Sequence, residues 1–256
     1  MTYAERPAPV WIAGPVACVW SIVATGDGTV LPDACVDLVH IEGRGTFVAG
    51  PDTGPTFGPD DPAVGPIAGV RLRPGHAAAA LGVPAHELRD RRVWLDELWG
   101  GEGGELSRRI DDAPTTAARQ ALLAEAVARH AAPADPIALG AVALLAQDPG
   151  RRIAEIAGEL AVSERHLLRR VRTAVGYGPK TLGRILRFQR LLALAEAGAD
   201  SLATLALAAG YTDQPHMTGE VGRLAGAPPT AVLGVASARG DVGLVRSLQD
   251  EARSAA

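Results

Sequence analysis

One stretch of this chain is written twice. Ile156-Ala157 followed by Leu160-Ala161-Val162-Ser163 returns as Leu205-Ala206 followed by Ala209-Gly210-Tyr211-Thr212, an offset of 49 residues. The offset becomes 50 for Val171 and Val221, Gly176 and Gly226, and Pro179 and Pro229, so the second copy carries one extra residue. Each copy reads as a helix, a tight turn, a second helix and a Gly/Pro stop. That pattern describes two helix-turn-helix units in tandem, a module that sets one helix into the DNA major groove.

The charge distribution agrees with this division of labour. The chain as a whole is mildly acidic, −4, but residues 1–135 hold 11 arginines against 18 acidic side chains, a balance of −7. Residues 151–190 hold nine arginines, one lysine and three glutamates, a balance of +7. DNA responds to local positive charge near its phosphates rather than to the global sum. An acidic domain with another task, joined to a basic DNA-binding one, is therefore expected.

Other classes fall away. With 47% apolar residues over 256 positions, the chain can bury a core and is not of disordered composition. Its best apolar run, Ile137 to Ala146, is far short of the roughly 18–20 residues that cross a bilayer. The N-terminus lacks a basic stretch leading into an apolar one, so no signal peptide is read and a cytoplasmic protein is expected. Cys18 and Cys35 are too few for a disulfide framework and read as buried thiols.

The pattern along the chain predicts an α+β protein: a mostly β N-terminal domain closed by helices, then an all-α DNA-binding domain. Short β-like runs fill 9–24, and Cys35 to Ile41, Thr46 to Ala49 and Ile67 to Arg73 are strand candidates bounded by Gly, Pro or Asp. Residues 50–66 read as a loop. His76 to Leu81, Pro84 to Arg89, Leu106 to Ile110 and Thr115 to His130 read as helices, the last with Ala118, Leu122 and Ala126 at helical spacing. The N-terminal domain is assigned to 1–130, a Pro/Ala connector to 131–136, the helical domain to 137–235 and a tail to 236–256, with one further short helix expected over Val242 to Gln249.

In the first copy, Ile153, Ile156, Ala157 and Leu160 form an apolar stripe; Ser163 is a good N-cap, and Glu164 suits the first turn of the next helix. Leu167 and Val171 then face the core, leaving Arg165, Leu168, Arg169 and Arg172 outside. Arginine matches the major-groove acceptors of guanine and also pairs with phosphate.

The series Ile156 to Val171, Ala208 to Met217 and Gly226-Ala227-Pro228-Pro229 resembles the AraC/XylS-type transcription regulators over roughly Ile137 to Leu233. The resemblance implies two helix-turn-helix units joined by a long helix, here about Pro179 to Ala197, with Leu182, Ile185, Leu186, Phe188, Leu191 and Leu192 on its buried side. It implies recognition helices in successive major-groove segments about 34 Å apart. By position, Arg165, Leu168 and Arg169 would face bases in the first segment, and Gln214, His216 and Thr218 in the second; Arg172, Lys180, Arg184 and Arg187 would meet phosphates. The second copy departs from the family, with Gly219 and Gly222 where members often carry Arg or Lys. Each glycine costs roughly 1 kcal/mol against alanine in a helix interior. The first unit is thus expected to supply most of the affinity, and the second to be weakly specific or to order fully only on DNA.

In the other half, Pro32 to Val39, Ala49 to Thr53, Gly69 to Gly75 and Leu95 to Gly100 resemble an uncharacterised N-terminal domain found in a subgroup of these regulators, over about residues 7–130. The relation implies a sensor or dimerisation domain without naming a ligand. The residues themselves name none either. Cys35 and Asp37 share a strand face while His40 falls on the other, so no metal site is expected. Glycine-rich stretches lack a phosphate-binding context, there is no nucleophile elbow, and neither a cofactor nor enzymatic activity is expected. Trp11, Trp20, Trp94 and Trp99 either pack the core or line an apolar ligand pocket. Two alternatives to a ligand-responsive regulator stay open: a purely structural N-terminal domain, or a Cys35 alkyl acceptor, which would need an exposed thiol of lowered pKa. The partners read from the chain are double-stranded DNA, with RNA polymerase, a small-molecule effector and a second copy through Thr115 to His130 as further candidates, and no membrane.

Overall fold

The computed structural model describes residues 2–23, 29–57, 65–198 and 201–239. Its first half contains strands β1 (Thr2–Pro7), β2 (Val16–Val23), β3 (Thr29–Val30), β4 (Val36–Ile41), β5 (Gly45–Ala49), β6 (Thr56–Phe57), β7 (Ile67–Leu72) and β8 (Arg92–Trp94). Helices α1 (Ala77–Leu81), α2 (Ala85–Leu88), α3 (Leu95–Trp99), α4 (Gly101–Asp111) and α5 (Thr116–His130) complete it. Six strands form an antiparallel sheet in the order β1-β2-β7-β4-β5-β8, and β3 pairs with β6 apart from it.

Alternation along the strands sorts the side chains onto two faces. Val36, Leu38, Val48, Val70 and Leu72 point to the helical side, where Leu123 and Val127 of α5 close the core. Cys18, Trp20, Val39, Ile41 and Ile67 form a second cluster on the other face. The apolar side of α5 is thus covered within the chain, and its N-cap is Thr115, whose hydroxyl accepts from Ala118 N at 3.1 Å.

Several elements differ from the sequence expectation. The N-terminal edge strand β1 carries Glu5, Arg6 and Pro7, so no apolar period marks it. The loop expected over 50–66 contains β6. Helix α4 starts at Gly101, five residues before the expected helix, and at Gly103 an added Cβ would lie 2.0 Å from the Leu95 carbonyl. A glycine run that reads as a breaker in sequence here permits close contact with α3.

The second half is helical throughout its described residues: α6 (Pro136–Gln147), α7 (Ile153–Glu159), α8 (Glu164–Val175), α9 (Pro179–Glu196), α10 (Leu202–Ala209), α11 (Gln214–Ala225) and α12 (Pro229–Arg239). Pro136 belongs to α6, with Asp135 as N-cap, and the connector is held at both ends. Ala132 N donates to the Ala79 carbonyl at 2.9 Å, and Asp135 pairs with Arg170. Helix α12 runs past residue 235, and the helix expected over Val242 to Gln249 lies outside the described residues.

One apolar core runs through both repeats. Ile156, Leu167 and Val171 of the first and Leu205, Met217 and Val221 of the second pack with Leu182, Ile185, Leu186, Phe188, Leu191 and Leu192 of α9 between them. The turns repeat as well: Val162 N donates to Ala157 O and Tyr211 N to Ala206 O, both at 2.9 Å. Ala161 and Gly210 occupy the same left-handed turn position, at φ 53° and 93°.

Candidate nucleic-acid interface

Helix α8 is built to present one face. Ser163 Oγ accepts from His166 N at 3.2 Å, fixing its start. Leu167, Val171, Ala174 and Val175 are buried, which turns Arg165, Leu168, Arg169 and Arg172 outward. Leu168 is 49% exposed, an apolar side chain held in water beside three arginines. Arg165, Arg169 and Arg172 have no ion-pair partner among the described residues. Lys180, in the first turn of α9, is also exposed. An uncompensated basic face with a large apolar residue in it has the chemistry of phosphate and base-edge contact.

The extra residue of the second repeat falls in its turn. The N-cap of α11 is Asp213, accepting from His216 N at 2.7 Å, rather than Thr212, which the sequence alignment pairs with Ser163. The helix runs unbroken through Gly219 and Gly222. Gln214, His216 and Thr218 are exposed. Two of them are engaged locally: His216 Nδ1 accepts from Thr212 N at 3.3 Å and its ring meets Tyr211 edge-on at 5.5 Å, while the Thr218 hydroxyl donates to Gln214 O at 2.9 Å.

Two of the expected phosphate ligands have internal partners. Arg184 donates to Glu220 Oε2 at 2.5 Å. Arg187 donates to the Pro149 carbonyl at 3.4 Å and lies over the Tyr211 ring, 5.4 Å from its centre. The basic groups therefore divide into an outward set, Arg165, Arg169, Arg172 and Lys180, and a set directed inward.

The N-terminal domain touches this assembly at the elbow between α8 and α9. Helices α1 and α2 pack against α8. Gly176, the left-handed C-cap of α8 at φ 104°, sits so close to Pro51 that a Cβ would come within 2.5 Å of that ring. Tyr177 is buried beside it, and burial, reinforced by Asp33, Cys35 and Asp52, pushes its hydroxyl well above the ordinary range. Gln189 Nε2 of α9 donates to the Pro32 carbonyl at 2.7 Å, and Leu31 and Ala34 join the core of the DNA-binding half. The same strap reaches the sheet: Asp33 lies 3.5 Å from Arg71 Nε, which donates to Asp37 Oδ1 at 3.2 Å. Asp37 also accepts from Trp20 Nε1 at 2.8 Å. Sequence reading did not find this strap; the signal present was a glutamine, Gln189, inside the apolar stripe of α9.

Nothing activates the cysteines. Cys18 and Cys35 are free and buried, and burial is the main force driving both thiols upward, opposite to what an alkyl acceptor needs. Asp37 and His40 lie on opposite sheet faces, His40 bonding to Thr46 at 3.0 Å, and no group of metal-ligating side chains occurs among the described residues. Trp20 belongs to a core cluster, Trp99 packs against one and stacks on His130, Trp11 is exposed, and Trp94 borders a surface groove of about 490 Å³ with Ser107, Arg108 and Asp111. No helix among the described residues is long and apolar enough to cross a membrane.

A helix-turn-helix domain family matches residues 156–234, and a domain of unknown function (DUF6597) matches residues 6–94. No match was found among curated proteins. Among solved structures the chain is similar to ToxT from Vibrio cholerae, at 10% identity and a TM-score of 0.47 over 91% of this chain and 98% of that one. ToxT bound to (E)-4-(8-methylnaphthalen-1-yl)but-3-enoic acid gives 10% identity and 0.49 over 92% and 100%. The form bound to an unsaturated fatty acid gives 13% and 0.42 over 84% and 93%. The chain thus carries an AraC-type helix-turn-helix domain in its C-terminal half, preceded by a domain of unknown function.

Proposed function

We propose that the chain reads DNA chiefly through α8 and that its N-terminal domain governs how α8 and α9 are presented, in response to a small molecule or a protein partner. The observation that carries the first part is the outward, unpaired basic face of α8. Arg165 and Arg169 meet base edges, Leu168 offers apolar contact such as a thymine methyl, and Arg172 and Lys180 hold phosphates. Gln214, His216 and Thr218 read a second major-groove segment with weaker, neutral contacts. The second part is supported by the strap from Leu31 to Cys35, which enters the core of one domain and the charged cluster of the other. An effector acts there only by binding two arrangements of that contact unequally.

The test is a footprint on a duplex selected from a random pool by the full-length protein. Two protected patches one helical turn apart are expected, with Arg165→Ala/Arg169→Ala erasing the first and Gln214→Ala/His216→Ala weakening the second. A single patch unaffected by the first pair of substitutions would refute the assignment.

A further inference from the structure

The second unit is poor in the groups that hold a protein on DNA. Arg223 is the only basic side chain of α11 apart from His216, and its exposed positions include Gly219 and Gly222. Phosphate contacts ordinarily set the register of a recognition helix. A helix that lacks them must take its position from the body carrying it.

That attachment is visible at Glu220. It is only 6% exposed, and its two carboxylate oxygens are divided between two helices. Oε2 accepts from Arg184 Nε of α9 at 2.5 Å, and Oε1 accepts from Arg223 Nη1 of α11 at 2.6 Å. One turn along α9, Arg187 covers Tyr211 in the turn preceding α11 and reaches the Pro149 carbonyl ahead of the first unit. The repeat provides an independent observation. Fifty residues earlier, the position equivalent to Glu220 is Arg170, and it too is paired off its own helix, with Asp135 at the start of α6. The same site on both recognition helices is an anchor, with opposite charge in the two copies.

We propose that Glu220 is a positioning residue for DNA specificity: by tying α11 to Arg184, it fixes the separation and phase of the two recognition helices and so the half-site spacing the protein accepts. The proposal rests on the two-helix reading given above. It also reassigns Arg184 from the phosphate backbone to a partner within the protein. The Glu220 carboxylate is buried while the Arg184 side chain is 32% exposed, so the pair is screened less than one lying wholly on the surface.

The test uses the full-length protein and the selected duplex, resynthesised with a base pair inserted or removed between its halves, and a duplex carrying only the first half. Wild type is expected to bind the native spacing at least about tenfold more tightly than the altered ones, the scale of a coupling near the middle of the measured range for interacting residues. Glu220→Gln is expected to lose most of that preference while binding the first-half duplex as wild type does. Arg184→Gln is expected to do the same, with the double variant no worse than either single one. Circular dichroism and melting establish that each variant is folded, and Arg184→Gln carries the test if Glu220→Gln is not. Retention of the spacing preference in a folded variant overturns the proposal. So does uniform tightening on every duplex by Glu220→Gln, together with a salt slope flattened by about 0.9 on every duplex by Arg184→Gln; these mark a repelling carboxylate and a phosphate ligand. Failure of wild type to select any two-part duplex instead overturns the two-helix reading on which the proposal stands.

Discussion

Replacing Gln189 by leucine removes one hydrogen bond and little else. The side chain is 5% exposed on the buried side of α9, and its Nε2 donates to the Pro32 carbonyl of the other domain at 2.7 Å. Leucine is apolar and of similar volume, so packing on the buried side of α9 is largely kept. The Pro32 carbonyl, however, loses its donor in a place closed to water. Leaving a buried acceptor unmet costs about 1–3 kcal/mol, and a short bond closed at both ends belongs near the middle, about 2 kcal/mol. For a chain of this size that corresponds to a fall in Tm of roughly 4–8 °C. The loss falls on the contact between domains rather than on either core, so the transition should also become less cooperative. Differential scanning calorimetry reads both quantities. An unchanged Tm with an unchanged single transition would show that the bond does not couple the domains; an equal fall in Tm with cooperativity intact would place its contribution within the helical half alone.

Two other substitutions follow from local geometry. Gly219→Ala and Gly222→Ala lie on the exposed side of a formed helix, where an added Cβ meets nothing closer than 3.6 Å, so each is expected to stabilise by about 1 kcal/mol in denaturant titration; a loss of stability would show that those positions serve the fold. Burial raises the Asp33 carboxyl from its ordinary 3.8 to about 6, with the Arg71 guanidinium pulling it back. Because the folded state holds that proton more tightly, the contribution is present below pH 3.8 and is lost as pH rises through 6. Asp33→Asn keeps the acceptor for Cys35 N, so its stability relative to wild type should rise with pH across that window in urea titrations; a difference flat in pH would refute the assignment. Burial lowers the His40 value and works in the opposite sense, but it does so in both proteins and cancels in the comparison.

The DNA-binding half was legible in the sequence because its signals are local and repeated. Helical period, the Ser163 cap and the buried side of α9 each depend on residues a few positions apart, and the second copy checks the first. What was not legible is set by contacts between distant segments. Thr212 aligns with Ser163, but Asp213 takes the cap, because the extra residue is absorbed in the turn. Arg184 and Arg187 have the spacing of phosphate ligands, and only the three-dimensional approach of Glu220, Tyr211 and Pro149 turns them inward. In the N-terminal half, β8 is three residues long and β1 is an edge strand with charged positions, so neither shows an apolar period. The strap over Leu31 to Cys35 includes Ala34 at φ 69°, a conformation that sequence patterns reserve for glycine or asparagine.

Fluorescence-anisotropy titration across a salt series tests the central claim most directly, comparing wild type with Arg165→Ala/Arg169→Ala on the selected duplex and on a scrambled one. The account predicts that the variant loses the preference for the selected duplex, with affinity for both DNAs falling to one weak, salt-dependent level. A variant that still prefers the selected duplex as strongly as wild type would contradict the assignment of α8 as the reading helix.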